Sequence, residues 1–97
     1  MKISDFQRLI KEIYYHQDSK RGIKNTFIWL IEEIGELANL LKEQKIDIEK
    51  ASQELADVIA WTISIANLLE IDLEKALKEK YPNKCIKCNR IPCECNR

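Results

Sequence analysis

The sequence predicts an all-α fold, in which four helices form a helical bundle shared between subunits and a short cysteine-rich tail follows. Only two glycines and two prolines interrupt the 97 residues. Apolar residues recur at spacings of three and four, which is the period of an amphipathic helix. We expect residues 1–81 to form one helical domain, because a chain of this length buries a single modest core, and residues 82–97 to form the tail.

Capping residues and turn residues mark the first two helices. The segment "SDFQ" is a capping box with Ser4 as N-cap and Gln7 at position N3, so the first helix is expected to start there. The polar segment "HQDSKRGIKN" predicts a loop after it. Asn25 is the expected N-cap of the second helix, which should end near Gln44. Gly35, inside this helix, indicates a close contact with another helix.

The third and fourth helices are predicted from the same kinds of signal. Asp47 is the expected N-cap of a helix reaching about Glu70, and Asp72 that of a last helix stopped by Pro82. Residues 55–69 are apolar on almost every side, which is typical of a helix buried all round. The rest of so short a chain cannot cover it, so we expect a homodimer, or a tetramer built from dimers.

Charge and hydropathy limit the kinds of partner that this protein is expected to bind. Sixteen basic and sixteen acidic residues cancel, which argues against nucleic acid as a partner. No apolar run approaches the roughly 20 residues that span a bilayer. The N-terminal segment "MKISDFQRL" also lacks the apolar core of a signal peptide. We therefore expect a cytoplasmic protein without a membrane partner.

Three unpaired glutamates stand out in the segment "WLIEEIGELANLL", residues 29–41. Glu32, Glu36 and Glu33 fall at about 0°, 40° and 100° around the helix, and none has a basic residue three or four positions away. A solvated acidic face is the ordinary explanation of such a cluster. Trp29 and Leu40 lie in the same sector, however, so this face is not expected to point only into water.

The third helix carries two further acidic residues, Glu54 and Asp57, one turn apart. Five carboxylates on half-apolar faces would raise one another's pKa unless a positive charge lay among them. Magnesium suits this position, since it prefers carboxylate oxygens and keeps waters that a phosphate can displace.

The motif "EEIGE", followed after seventeen residues by "ELAD", is the pattern EExxE…ExxD on consecutive helices. With its flanks, over residues 25–81, it resembles the MazG-like nucleotide pyrophosphohydrolases. The resemblance implies an all-α fold and a reaction in which a nucleoside triphosphate and water give the monophosphate and pyrophosphate, with magnesium, or manganese in its place. It also implies roles for the motif carboxylates. Metal ligands would be Glu33, Glu36, Glu54 and Asp57, and Glu32 would position the attacking water.

Three further residues are candidates for substrate binding. Trp61 lies one turn beyond Asp57 and could stack on a nucleobase, although a core tryptophan explains it as well. Asn67 resembles an asparagine recurrent in the family, and could instead join two helices. Lys80 is a candidate phosphate ligand or a solvated lysine at a helix end.

All four cysteines fall in the tail segment "CIKCNRIPCEC", as Cys85, Cys88, Cys93 and Cys95. The C-x2-C half is typical of a knuckle that binds zinc or another thiophilic metal, and Asn89 after it suits the left-handed turn of such a knuckle. Disulfides and free thiols remain alternatives. The sequence allows two alternatives to a nucleoside triphosphate pyrophosphohydrolase. One is a phosphoribosyl-ATP pyrophosphohydrolase, and the other is a non-catalytic helical dimer with a metal-binding tail.

Overall fold

Four helices account for most of the chain in the computed structural model, which describes residues 1–96; Arg97, at the end of the predicted tail, lies outside that range. The helices are α1 (Ile3–Arg21), α2 (Ile23–Leu41), α3 (Ile48–Leu68) and α4 (Leu73–Lys80). No strand occurs within residues 1–96, and the all-α prediction is confirmed. None of the helices described there is long and apolar enough to cross a membrane.

Two aspartates cap α3 and α4 as predicted. Asp47 Oδ1 accepts a hydrogen bond of 3.1 Å from the amide of Lys50, and Asp72 Oδ1 accepts one of 3.1 Å from the amide of Lys75. Each bond satisfies an amide that has no partner inside its helix. The capping residues therefore predict the first residue of α3 and of α4 correctly.

The predicted limits of α1 and α2 are wrong. Helix α1 begins at Ile3, where the amide of Lys2 donates to Asp5 Oδ2 at 3.0 Å, so Ser4 is not its N-cap. The expected loop "HQDSKRGIKN" is helical up to Arg21, and α2 starts at Ile23 rather than after Asn25. The segment is polar but contains no helix breaker before its glycine, and lysine and arginine favour the last turn of a helix.

Gly22 alone separates α1 from α2. Its φ of 85° and ψ of 166° lie in a region that is essentially restricted to glycine. The amide of Gly22 donates to the carbonyl of Asp18 at 2.9 Å, and its own carbonyl accepts from the amide of Thr26 at 3.0 Å. The change of direction between two long helices thus takes place within one residue.

We predict that Gly22→Ala lowers the unfolding free energy by about 1–3 kcal/mol. A Cβ atom at Gly22 would meet nothing within 4 Å, so the loss would come from backbone strain. Gly35→Ala is the matched control, because its Cβ also meets nothing within 4 Å and no left-handed φ is involved. Alanine there should leave stability unchanged or raise it by up to about 1 kcal/mol. Urea denaturation of both variants checks the contrast, and equal stabilities would contradict it.

Helix α3 is the centre of the packing. It runs antiparallel to α2, since Trp29 pairs with Trp61 and Glu36 with Glu54, and its other side contacts α1. The apolar core inside the chain is small and consists of Ile10, Leu30, Ala51, Ile63 and Ala66. Helix α4 packs on the start of α1, where the amide of Ser4 donates to Glu74 Oε1 at 3.2 Å.

Much apolar surface on α2 and α3 remains half exposed. The rest of a single chain does not cover α3, as its short length leads us to expect, and Leu55 and Ile59 are 50% and 53% exposed. Large apolar side chains along one side of α2 are likewise mostly uncovered. Those that are exposed are Phe27, Ile31, Ile34 and Leu41. The close helix contact expected at Gly35 is also absent within residues 1–96.

Candidate metal centre and the adjoining cavity

Carboxylates from α2 and α3 converge where the two helices face each other. Glu33, Glu36 and Glu54 each offer an oxygen, and these oxygens lie within 4.8 Å of one another. Glu33 and Glu54 are half buried, while Glu36 is exposed. The antiparallel pairing explains the meeting, since it brings one turn of α2 beside one turn of α3. Three of the four predicted metal ligands therefore lie together, and the fourth, Asp57, borders the same group.

These carboxylates lack compensating partners. Within residues 1–96, Glu33 Oε2 and Glu54 Oε2 are buried without a hydrogen bond. Burial, together with the nearby charges of Glu36, Glu54 and Asp57, raises the pKa of Glu33 from 4.5 to about 7. A divalent cation would satisfy the unpaired oxygens and offset the repulsion, so the donor set fits magnesium.

A cavity of about 330 Å³ adjoins the carboxylates. Glu33 and Asp57 form its acidic side, and Trp61 lines it from α3. Helix α1 forms another wall of the cavity. This wall consists of Ile10, Tyr14, Gln17, Asp18 and Arg21. The cavity thus joins an acidic edge to an aromatic ring and a cationic side chain.

The end of α1 is held in place by a buried polar network. Arg21 Nη1 donates to Asp18 Oδ1 at 2.7 Å and to Thr26 Oγ1 at 3.4 Å, and Thr26 is fully buried. The Arg21 guanidinium also lies over the Trp61 ring, 4.8 Å from its centroid. Trp61 in turn stacks on Trp29 with 6.0 Å between ring centroids and 9° between planes. Arg21 is thereby fixed beside the cavity.

The family model for the MazG nucleotide pyrophosphohydrolase domain matches residues 21–89. The chain belongs to this family. The matched region contains the whole carboxylate group, and only Arg21 of the α1 wall falls inside it. A comparison with curated proteins finds no match.

The remaining predicted site residues of this MazG domain lie away from the three converging glutamates. Glu32 is exposed and outside that group. Asn67 is buried where α1 meets α3; its Oδ1 accepts from Gln7 Nε2 at 3.0 Å and its Nδ2 donates to the Gln7 carbonyl at 3.3 Å. These bonds match the helix-joining role. Lys80 is exposed at the end of α4 and does not line the cavity.

Sequence reasoning missed the α1 contribution to the cavity of the MazG domain. Asp18 and Arg21 belong to the segment that the sequence predicts as a loop, and a loop prediction assigns no helix face to their side chains. In a polar segment, an aspartate and an arginine three positions apart are only a weak sequence signal of a buried salt bridge. The helix-compatible composition up to Gly22 could have extended α1, and the side chains at 14, 17, 18 and 21 would then have shared one face.

The raised pKa of Glu33 predicts a pH dependence for the metal-free MazG domain. In the unfolded chain this carboxyl has its ordinary pKa of 4.5, so between 4.5 and about 7 unfolding releases a proton. The Glu33 contribution therefore makes the unfolding free energy fall as pH rises through that window. Glu33→Gln removes the contribution, so the variant should gain stability relative to the unmodified protein as pH rises.

Urea denaturation with a chelator at pH 4.5 and pH 8 checks this difference. Magnesium at pH 8 should stabilise the unmodified protein and leave Glu33→Gln nearly unaffected. A stability difference between the two proteins that does not change with pH would contradict the prediction.

Proposed function

We propose that this protein is a magnesium-dependent nucleoside triphosphate pyrophosphohydrolase, which converts ribo- or deoxyribonucleoside triphosphates into monophosphates and pyrophosphate. Family membership supports the nucleotide pyrophosphohydrolase class. The observation that supports the metal requirement is the convergence of Glu33, Glu36 and Glu54 with buried oxygens that have no hydrogen bond. Manganese can replace magnesium, because the ligands are hard carboxylate oxygens.

Glu33, Glu36, Glu54 and Asp57 would hold the metal ion. When bound, magnesium supplies positive charge that offsets the charge of the triphosphate and of the pyrophosphate leaving group. In the reaction, a water oxygen bonds to the α-phosphorus and the bond from that phosphorus to the bridging oxygen of the β-phosphate breaks. Pyrophosphate leaves with the bridging oxygen, and the water releases one proton to solvent. We propose that Glu32, next to the metal ligands in sequence, orients this water.

The cavity beside the carboxylates offers a place for the rest of the nucleotide. Trp61 presents an aromatic ring there, which can contact a base, and Arg21 presents the only cationic side chain that lines it within residues 1–96. Since α1 supplies one wall, we propose that α1 contributes to nucleotide selectivity. Asn67 and Lys80 stay weaker proposals as substrate ligands, because neither lines this cavity.

We further propose that two copies associate through the uncovered apolar faces of α2 and α3. Exposed isoleucine and leucine side chains lie on both helices, with Phe27 on α2, and exposed apolar surface on this scale is typical of an interface.

Product analysis tests the activity. The purified protein is incubated with magnesium and each ribo- and deoxyribonucleoside triphosphate in turn, with phosphoribosyl-ATP included, and the products are separated by ion-exchange chromatography. Monophosphate and pyrophosphate in equal amounts support the proposal, and omission of the metal should stop their release. Diphosphate with inorganic phosphate, or no turnover with any substrate, would contradict it.

A further inference from the structure

Four cysteine sulfurs converge in the tail, outside the carboxylate site. The Sγ atoms of Cys85, Cys88, Cys93 and Cys95 all lie within 4.8 Å of one another. Cys85 Sγ is 3.9 Å from Cys95 Sγ, and Cys88 Sγ is 3.9 Å from Cys93 Sγ. A disulfide joins its sulfurs at about 2 Å, whereas four sulfurs around a tetrahedral ion at about 2.3 Å lie about 3.8 Å apart. The spacing is that of a tetrahedral thiolate site.

The backbone around the sulfurs has the form of a metal knuckle. Asn89 has a φ of 60°, and its amide donates to the Cys85 carbonyl at 2.7 Å, which closes the turn after C-x2-C. The amide of Cys85 donates to the Arg90 carbonyl at 3.1 Å. The amide of Cys95 donates to Cys93 Sγ at 3.2 Å. Amides directed at sulfur stabilise thiolates and orient them toward a shared ion.

We propose that these four cysteines bind one zinc ion in a closed structural site. All four ligand positions come from the protein, so no position remains for water or substrate. Zinc suits a partly exposed tetrathiolate, because it has no redox chemistry that air could drive. The second ligand pair, Cys93 and Cys95, follows the knuckle after only four residues, so the ion ties both halves of the tail together.

The zinc ion would anchor a segment that has little else to hold it. Residues 82–96 contain neither helix nor strand, and no large apolar residue of the tail is buried. Structural zinc sites contribute directly to folding in such segments. The ion should therefore order the tail and leave helices α1 to α3 almost unaffected.

Metal analysis of the untagged, full-length protein tests the proposal. We expect one zinc per chain by mass spectrometry of the metal content, and release of that zinc by a strong chelator. Reduced metal-free protein should regain one zinc with saturable binding, and cobalt in its place should give the absorption bands of a tetrahedral tetrathiolate. Hydrogen exchange after chelation should accelerate in residues 82–96 and not in α3.

Two variants separate this site from the carboxylate centre. Cys85→Ser should lose zinc binding at least about 100-fold while circular dichroism shows the helices intact. Glu36→Gln should keep its zinc whether or not the proposed hydrolysis is correct. Intact disulfides without zinc, stoichiometric iron in place of zinc, or reduced protein that takes up no zinc would each overturn the proposal.

Discussion

Glu36→Gln is expected to reduce pyrophosphate release by at least about 100-fold, because a catalytic metal contributes several kcal/mol to such a transition state. Glutamine keeps the volume of the side chain and removes the charge that faces Glu33 and Glu54. The metal-free variant should melt at the same temperature as the unmodified protein or higher, since repulsion among the carboxylates is relieved. Initial rates with magnesium and thermal melts with a chelator measure both effects.

Glu43→Gln is the matched control, since Glu43 follows α2 and lies outside the carboxylate group. This variant should keep both its rate and its melting temperature. A solvated acidic face would instead leave both properties unchanged in Glu36→Gln as well. Near-normal pyrophosphate release by Glu36→Gln would rule out the proposed metal site.

Ile59→Lys is expected to weaken self-association by about 100-fold or more, because a lysine buried in an apolar interface loses its hydration without gaining a partner. Ile59 is half exposed in the single chain and lies at the level of Ile31, two residues beyond the Trp29 and Trp61 pair. Sedimentation equilibrium across a concentration series measures the dissociation constant. The unmodified protein should sediment as a dimer at micromolar concentration, or as a tetramer built from two dimers.

Ile13→Lys provides the comparison, because Ile13 is 47% exposed, close to the 53% of Ile59, and lies on α1, outside the proposed interface. That variant should associate as strongly as the unmodified protein. A folded monomer of the unmodified protein at micromolar concentration would contradict the proposed dimer.

The parts of the fold with strong local signals were predictable from the sequence. Asp47 and Asp72 cap their helices because a carboxylate at that position satisfies a free amide. The end of α1 was not predictable in this way. Asp18 and Arg21 form a largely buried salt bridge there, whereas charged residues in a polar segment are ordinarily exposed. Gly35 was misleading for a different reason: an exposed helical glycine has the same sequence signal as one at a close contact.

The candidate site was predictable in its residues and less so in its geometry. Motif spacing gave Glu33, Glu36 and Glu54, but angles around one helix could not separate them from Glu32. That separation depends on which side of α2 faces α3, a tertiary property. Residue spacing in the tail likewise singles out the four cysteines, whereas the proposal of a metal rather than disulfides rests on distances between sulfurs.

The one-residue joint at Gly22 makes the chain intolerant of length changes at that point. Adding or deleting one residue before it would turn the end of α1 by about 100° and carry Arg21 and Asp18 out of the cavity wall. The turn between α2 and α3 spans six residues, from Lys42 to Asp47, and can absorb such a change without moving either helix. Variation in length among related domains should therefore accumulate in the second turn and avoid the first.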